Sequence, residues 1–472
     1  MTMVEASLVV RGAAEVATMA SAAERTIAKT GMRPGPARGK ALGELGLISR
    51  GAIAVTGEHI TWVGPEAELD SAVRLAPGGQ VLDAAGGTVL PGFVDPHTHL
   101  LFAGDRAAEF GQRVRGRSYR EIAAQGGGIL ASVRAFRAAS NGEILDRALK
   151  LLDQMLQFGT TTVEVKTGYG LTTSEELRAL ELAAELDRRH AVDVIPTFMG
   201  AHAVPPEYQG EPHRYLDLLV HDMIPAVADQ GIARFCDVFC EPGYFTPEEA
   251  RMILGAASRL GLDLKLHADE FVDSGGAGLA AELRATSADH LMAISDEGIA
   301  RLASSSATIP VLLPGTSFFL GMTRFAPGRR LADQGLPVAI ATDLNPGSSM
   351  VASMPLITSL ACLGLRLTPE ESLVAATRNA ACAAGQSDRG LLVPGVLADL
   401  QIVALPGAVH LPYHIGPSHV IGVVKRGRLV LESGLLTQPA GAQSPPRVGE
   451  GRPGFTLGPA LPKAQGGSAP RQ

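Results

Sequence analysis

Between about residues 89 and 360, eight short apolar runs alternate with helical patterns, and most of the runs close on polar side chains. The runs are TVLPGFVD, TTTVEVKTG, VDVIPTFMG, FCDVFCE, LDLKLHADE, ATSADHL, ATIPVLLPG and LPVAIATDLNP. Between them lie segments such as NGEILDRALKLLDQMLQFG, with an Asn N-cap candidate and a closing Gly, and TPEEARMILGAASRLG. The second opens with Thr246 as cap, Pro247 at the first helical position and Glu249 completing a capping box. Strands alternating with helices give an α/β class, and eight of them fit a TIM-like (β/α)8 barrel. An open doubly wound sheet shows the same alternation, because closure leaves no mark on a linear pattern.

The ends of the chain read differently. SLVVRG and GAIAVTGEHITWVGP near the start, and ADLQIVALPG and VIGVVKRGRLVLESG near the end, are strand-like with turn punctuation. Residues 1–88 and 391–436 are therefore expected to form one small β-sandwich module from N- and C-terminal segments, with the barrel at 89–390. Residues 437–472 are rich in Pro, Gly and Ala and read as a flexible tail.

Composition narrows the function classes. A net charge of −7 without a long basic run excludes nucleic acid as the obvious partner. No stretch reaches the roughly 18 apolar residues of a membrane span. There is no charged n-region followed by an apolar h-region, so a cytoplasmic location is expected. The four cysteines suit a reducing compartment. Cys236 and Cys240 have the look of a zinc pair but lack a second pair, and are expected to be plain buried thiols.

In a barrel, reactive groups gather where strands end. The first run delivers His97 and His99, two apart and therefore on one face of a strand. Later runs deliver Glu164, Lys166 and Tyr169; His202; Glu241; His267 and Glu270; His290; and Asp343 with Asn345. Any one of these has a bland reading, a lone His202 above all. A His-x-His, further histidines on later strands and a terminal Asp together point to a divalent-metal hydrolase. Lys166 either bridges two metals as a carbamate or pairs with an acid; the ion pair is the expected role. His190, His213, His221, His410, His414 and His419 have no such company and are left as background. The GGG at 126–128 and GYG at 168–170 lack the strand-turn-helix context of a phosphate loop and are expected to be loops at the barrel mouth.

The stretches PGFVDPHTHLLFAGDRAAEF, YREIAAQGGGI, EVKTGYGLT, TFMGAHAVPPEY, CDVFCEPGYF, KLHADEF, SADHL and ATDLNPGSS closely resemble the imidazolonepropionases of histidine degradation, a family of the amidohydrolase superfamily. The resemblance covers roughly residues 85–400, and the segment between the first two strands and the Pro-rich tail depart from it. It implies hydrolysis of 4-imidazolone-5-propanoate to N-formimidoyl-L-glutamate, with one zinc or iron ion on His97, His99, His267 and Asp343. A single ion agrees with an uncarbamylated Lys166. The substrate would meet Arg106, Tyr169, His202, Glu270, Asn345, Gly347 and Ser348, and a homodimer is implied.

These roles fit the chemistry. Asp343 is placed to take a proton from water, Glu270 to act as acid/base or hold the ring nitrogens, and His290 to orient the nucleophile. His202 would donate to the developing oxyanion, and Arg106 would bind the propionate, its bland alternative being a salt bridge with Asp105 or Glu109. The turn at Asn345-Pro346-Gly347 would let backbone groups of Gly347 and Ser348 reach the substrate carboxylate. Two other readings share the barrel: a different amidohydrolase, such as a cyclic amidine deaminase or dipeptidase, and a non-enzymatic scaffold. The scaffold expects lost ligands, whereas all four are present.

Overall fold

The computed structural model describes residues 3–28, 30–117, 121, 126–433 and 436–438. All eight runs contain barrel strands: Phe93–Asp95, Thr160–Lys166, Asp193–Ala201, Phe235–Cys240, Asp263–Ala268, Ser287–His290, Ile309–Leu312 and Ala339–Ile340. Each pairs in parallel with the next in chain order. The ring closes just past the last strand, where Asp343 N donates to His97 O at 3.0 Å and His99 N to Leu344 O at 2.9 Å. Unbroken order and closure decide for the barrel over the doubly wound sheet, whose strand order reverses.

The first run proves to be two strands. Thr88–Pro91 belongs to the β module and pairs antiparallel with Leu400–Val403. Only Phe93–Asp95 enters the barrel. Gly92 marks the break, and a Cβ there would stand 2.3 Å from the Thr161 side chain. An apolar run shows that a strand is buried, not which sheet buries it.

The module interleaves both termini. One sheet runs Leu436–Gln438, Val73–Asp83, Val4–Arg11, Gly51–Thr56 and His59–Pro65. The other runs Arg428–Glu432, Val420–Lys425, Leu400–Val403, Thr88–Pro91, Glu15–Ala17 and Leu47–Ser49. Leu8, Ile53, Val89, Ile402 and Val423 from the two sheets share one buried apolar cluster, which makes the pair a sandwich. Of the tail expected from residue 437, Thr437 and Gln438 lie in a strand; residues 439–472 lie outside the described residues.

Local signals explain the helices. Thr246 and Glu249 form the expected capping box. In the Asn141–Gln157 helix the cap is Ser140, one residue before the Asn expected, because Ser140 and Glu143 make a reciprocal box. All four cysteines are free, and Cys236 and Cys240 are buried on the fourth barrel strand. No helix among the described residues is long and apolar enough to cross a membrane.

Asp193 begins the third strand, at the end of the barrel away from the reactive residues. Its carboxylate meets Lys425 at 2.9 Å, Arg426 at 3.0 Å and Arg389. Burial opposes the charge, but the cations outweigh it and hold the carboxyl below its usual range. A depressed pKa in the folded state contributes stability above the unfolded value, about 4, and that contribution is lost as pH falls through the folded value. Asp193→Asn is therefore expected to cost about 2–3 kcal/mol at neutral pH, less than a fully buried pair because Asp193 is partly exposed. Urea unfolding at pH 7 and pH 3.5 checks this: the deficit shrinks at the lower pH, and kcat stays unchanged.

Candidate active site and metal centre

The C-terminal ends of the strands open into a cavity of about 680 Å3. His99, His267, His290, Asp343 and Glu270 form its floor and wall, and Arg106, Tyr169, His202, Asn345, Gly347 and Ser348 complete it. His97 lies beneath, with no solvent exposure. The structure thus brings every sequence-predicted site residue to one place. The background histidines lie elsewhere: His190 beside Asp153, His221 against Asp217 O, and His414 against His419.

Donor atoms at the base fall into two overlapping sets that share His97, one with His99 and Asp343 and one with His267 and His290. Within each set the atoms lie within 4.8 Å of one another. His97 Nε2 lies 3.5 Å and His99 Nε2 3.8 Å from Asp343 Oδ1, and His99 Nε2 lies 3.4 Å from His267 Nε2. The partners of the opposite ring nitrogens fix the protons. His97 Nδ1 donates to Asp289 Oδ2 at 2.6 Å, and His267 Nδ1 faces Asp237 Oδ2 at 3.1 Å. Both rings therefore aim an Nε2 lone pair at the same point. Buried His97 Nε2 has no hydrogen-bond partner among the described residues. Facing lone pairs repel unless a cation lies between them. A tetrahedral ion with ligand distances of about 2.1 Å sets its donors about 3.4 Å apart, so these residues fit a divalent metal.

The electrostatics agree. Burial, then the charge of Lys166 and the neighbouring imidazoles, holds His97 well below its ordinary range. Burial likewise lowers His99 and His290, and it takes His202 down to about 3. These rings are neutral at pH 7, as ligation requires. Burial pushes Asp343 up to about 6 against the pull of the Thr316 hydroxyl. It raises Glu270 well above the carboxylate range, reinforced by Asp343 and Glu241. Lys166 goes the other way: burial alone would lower it, but Asp237, Glu164 and Asp289 together raise it. It is an ammonium in ion pairs, as expected, 2.7 Å from Glu164 Oε1 and 2.7 Å from Asp237 Oδ2.

Backbone strain aims several of these groups. Asp269, His290, Leu291 and Asp343 have φ of 51°, 76°, 62° and 54°. Left-handed conformations at non-glycine residues persist only where surroundings impose them. Here Leu291 N donates to Ala268 O and Ala293 N to Asp269 O, at 3.1 and 2.8 Å, while Asp343 N is tied to His97 O.

Two expected roles change sense. His202 Nδ1 donates to Gly168 O at 3.0 Å, so the proton of the neutral ring sits there. Nε2 is then an acceptor, not the oxyanion donor expected from the sequence. The amides of Gly347 and Ser348 both donate to Asn345 Oδ1, at 2.8 and 2.7 Å. They stabilise an Asx turn instead of standing open for a carboxylate. Arg106 makes the ion pair with Glu109 and also lines the cavity. Its Nε and Nη2 donate to Glu109 Oε2 at 2.9 and 2.7 Å, and it is 8% exposed. Gly128, in the GGG stretch, donates to the same Glu109 at 3.2 Å, a loop at the mouth as expected. Of YREIAAQGGGI, Tyr119, Arg120 and residues 122–125 lie outside the described residues.

Comparison with known proteins agrees with this geometry. The amidohydrolase family model matches residues 128–431. An imidazolonepropionase of Symbiobacterium thermophilum is 50% identical over 429 residues, 90% of this chain and 98% of the relative. This chain belongs to the imidazolonepropionase family. A second member, from Geobacillus kaustophilus, is 47% identical over 430 residues, 90% of this chain and 98% of the relative. Among solved structures, 5-methylcytosine deaminase of Klebsiella pneumoniae has a TM-score of 0.66 at 16% identity, covering 90% of this chain and 97% of that one. Atrazine chlorohydrolase of Arthrobacter aurescens, complexed with zinc, gives 0.59 at 18% identity, covering 92% and 97%. At such identities the likeness concerns the fold.

The sequence reading missed the carboxylates behind the imidazoles of this imidazolonepropionase family member. Asp237 and Asp289 back His267 and His97, and Asp95 accepts from Thr342 N and Oγ1 at 3.1 and 2.6 Å. A signal was present: each is the one acid of a fully buried strand, where a buried charge needs a partner.

Proposed function

We propose that this chain hydrolyses the ring amide of 4-imidazolone-5-propanoate to N-formimidoyl-L-glutamate with one zinc or iron ion held by His97, His99, His267 and Asp343. The observation that carries the reading is the close approach of these donors, His97 Nε2 and His99 Nε2 at 3.5 and 3.8 Å from Asp343 Oδ1 and His267 Nε2 at 3.4 Å from His99 Nε2, beside a cavity of ligand size. An ion bound there polarises the carbonyl and brings the pKa of water to about 7.

The residues supply the rest. Water oxygen adds to the ring carbonyl carbon, the carbon–nitrogen bond breaks, and the nitrogen leaves with a proton. Asp343, beside the place of the attacking water, accepts its proton and passes it on. Burial, with Asp343 and Glu241 nearby, raises Glu270 well above the carboxylate range, which suits it as the donor to the leaving nitrogen. His290 Nδ1 stands 3.7 Å from Glu270 Oε1 and orients it. His202 Nε2 accepts from a ring N–H, and Tyr169 packs 5.4 Å from that imidazole. Arg106, on the wall with Asn345, Gly347 and Ser348, faces the propionate. The ion pairs of Lys166 support a single ion without a carbamate bridge. A cytoplasmic homodimer completes the proposal, and sedimentation and fractionation test it.

Loss of the ultraviolet absorbance of fresh 4-imidazolone-5-propanoate, with metal content read on the same sample, tests the reading. Turnover abolished by a chelator and restored by zinc or iron is expected. A metal-loaded protein without turnover would move the substrate to another cyclic amide or amidine. Arg106→Ala is expected to raise KM about 10–100-fold, the loss of a charged hydrogen bond. Turnover of an analogue lacking the carboxylate should be unaffected. An unchanged KM would remove Arg106 from the substrate site.

A further inference from the structure

The geometry points to Lys166 as a positioning residue for the metal centre, one ammonium that ties together the two carboxylates orienting His97 and His267. This rests on the metal reading above.

Lys166 Nζ lies 2.7 Å from Asp237 Oδ2 and 3.8 Å from Asp289 Oδ2, and all three side chains are fully buried. Those same two oxygens hold the imidazoles: Asp237 Oδ2 faces His267 Nδ1 at 3.1 Å, and Asp289 Oδ2 accepts from His97 Nδ1 at 2.6 Å. Each carboxylate therefore serves its histidine and the lysine through one atom. Asp237 keeps one further anchor, His267 N donating to its Oδ1 at 3.2 Å; displacing the ammonium frees Oδ2 of both carboxylates and loosens their hold on both imidazoles. Two buried carboxylates near one another also repel, and a shared cation lets both stay in place.

The neighbours fit this arrangement. Glu164 sits two residues before Lys166, on the same face of the strand, and anchors the ammonium from the far side at 2.7 Å. The second buried lysine, Lys265, does not take over the role. It donates to Pro96 O at 2.7 Å and lies 3.6 Å from Glu164 Oε1. Pro96 stands between Asp95 and His97, so Lys265 holds the backbone of the His-x-His while Lys166 holds the rings.

The alternative is that Lys166 only neutralises charge in the barrel core. Zinc affinity separates the two. Metal-free protein is titrated with zinc against a chelator of known affinity, and the melting temperature of the metal-free form is read in parallel. Lys166→Met is expected to weaken zinc binding at least about tenfold. Asp237→Asn and Asp289→Asn, both isosteric, are each expected to weaken it about 10–100-fold. Because they act through one ammonium, the double variant should depart from the product of the single effects by at least about threefold. The proposal is overturned if Lys166→Met lowers the metal-free melting temperature while zinc affinity stays within about twofold, or if the aspartate effects simply multiply. Should Lys166→Met not yield folded protein, the aspartate cycle decides alone. If the unmodified protein takes up no zinc or iron, the metal reading fails instead, and the two failures are told apart.

Discussion

Replacing His267 by alanine is expected to abolish metal binding and lower kcat/KM by at least about a thousandfold, with the fold retained. A bound divalent ion contributes several kcal/mol to the transition state, and each 1.36 kcal/mol is tenfold in rate. His267 sits at the centre of the donor cluster, its Nε2 3.4 Å from His99 and its ring centroid 4.5 Å from that of His97. With the imidazole gone, three donors remain and the pocket widens. The barrel tolerates this because the ring lies at the cavity floor, not in the apolar core, and Asp237 keeps Lys166 as partner at 2.7 Å. Metal content by elemental analysis, with circular dichroism on the same sample, checks both halves. Full activity in this variant would remove His267 from the ligand set.

Glu270→Gln should behave differently: metal content and KM nearly unchanged, kcat down about 10²–10⁴-fold. Burial, with Asp343 and Glu241 nearby, raises the Glu270 carboxyl well above its usual range and favours the neutral acid. Gln is the isostere of that neutral acid. It still donates a hydrogen bond but cannot release a proton, so ground-state binding survives and proton transfer does not. The loop is also unaffected. Glu241, a strand-end acid the sequence singled out, accepts from the backbone of Glu270, Phe271 and Val272 at 3.1, 3.2 and 2.9 Å and holds them whatever side chain residue 270 carries. An unchanged kcat would shift the proton carrier to Asp343 or His290.

The contrast between these variants mirrors how the site was legible. His267 and Glu270 are both visible in KLHADE, as polar residues ending a buried strand. The ligand and acid roles proposed for them rest on what each faces, and those partners are remote: Asp237 lies 30 positions from His267. The helix caps show the same division on a small scale. Thr246 was readable because its whole box lies within four residues, and the cap at Ser140 was displaced by one because two adjacent polar residues competed for it.

By itself the sequence determined the eight strands, their alternation with helices and the polar residues at their ends, because a strand's periodicity and its terminus are local properties. It therefore also determined the list of candidate ligands. Only the tertiary structure decided that the sheet closes, that Thr88–Pro91 leaves the barrel for the module, and that Lys166 is an ammonium. It also decided that His202 offers an acceptor and that the Gly347 and Ser348 amides are held by Asn345. Proton positions and charge states depend on which groups meet in a low-dielectric interior, and His97 meets its carboxylate 192 residues away.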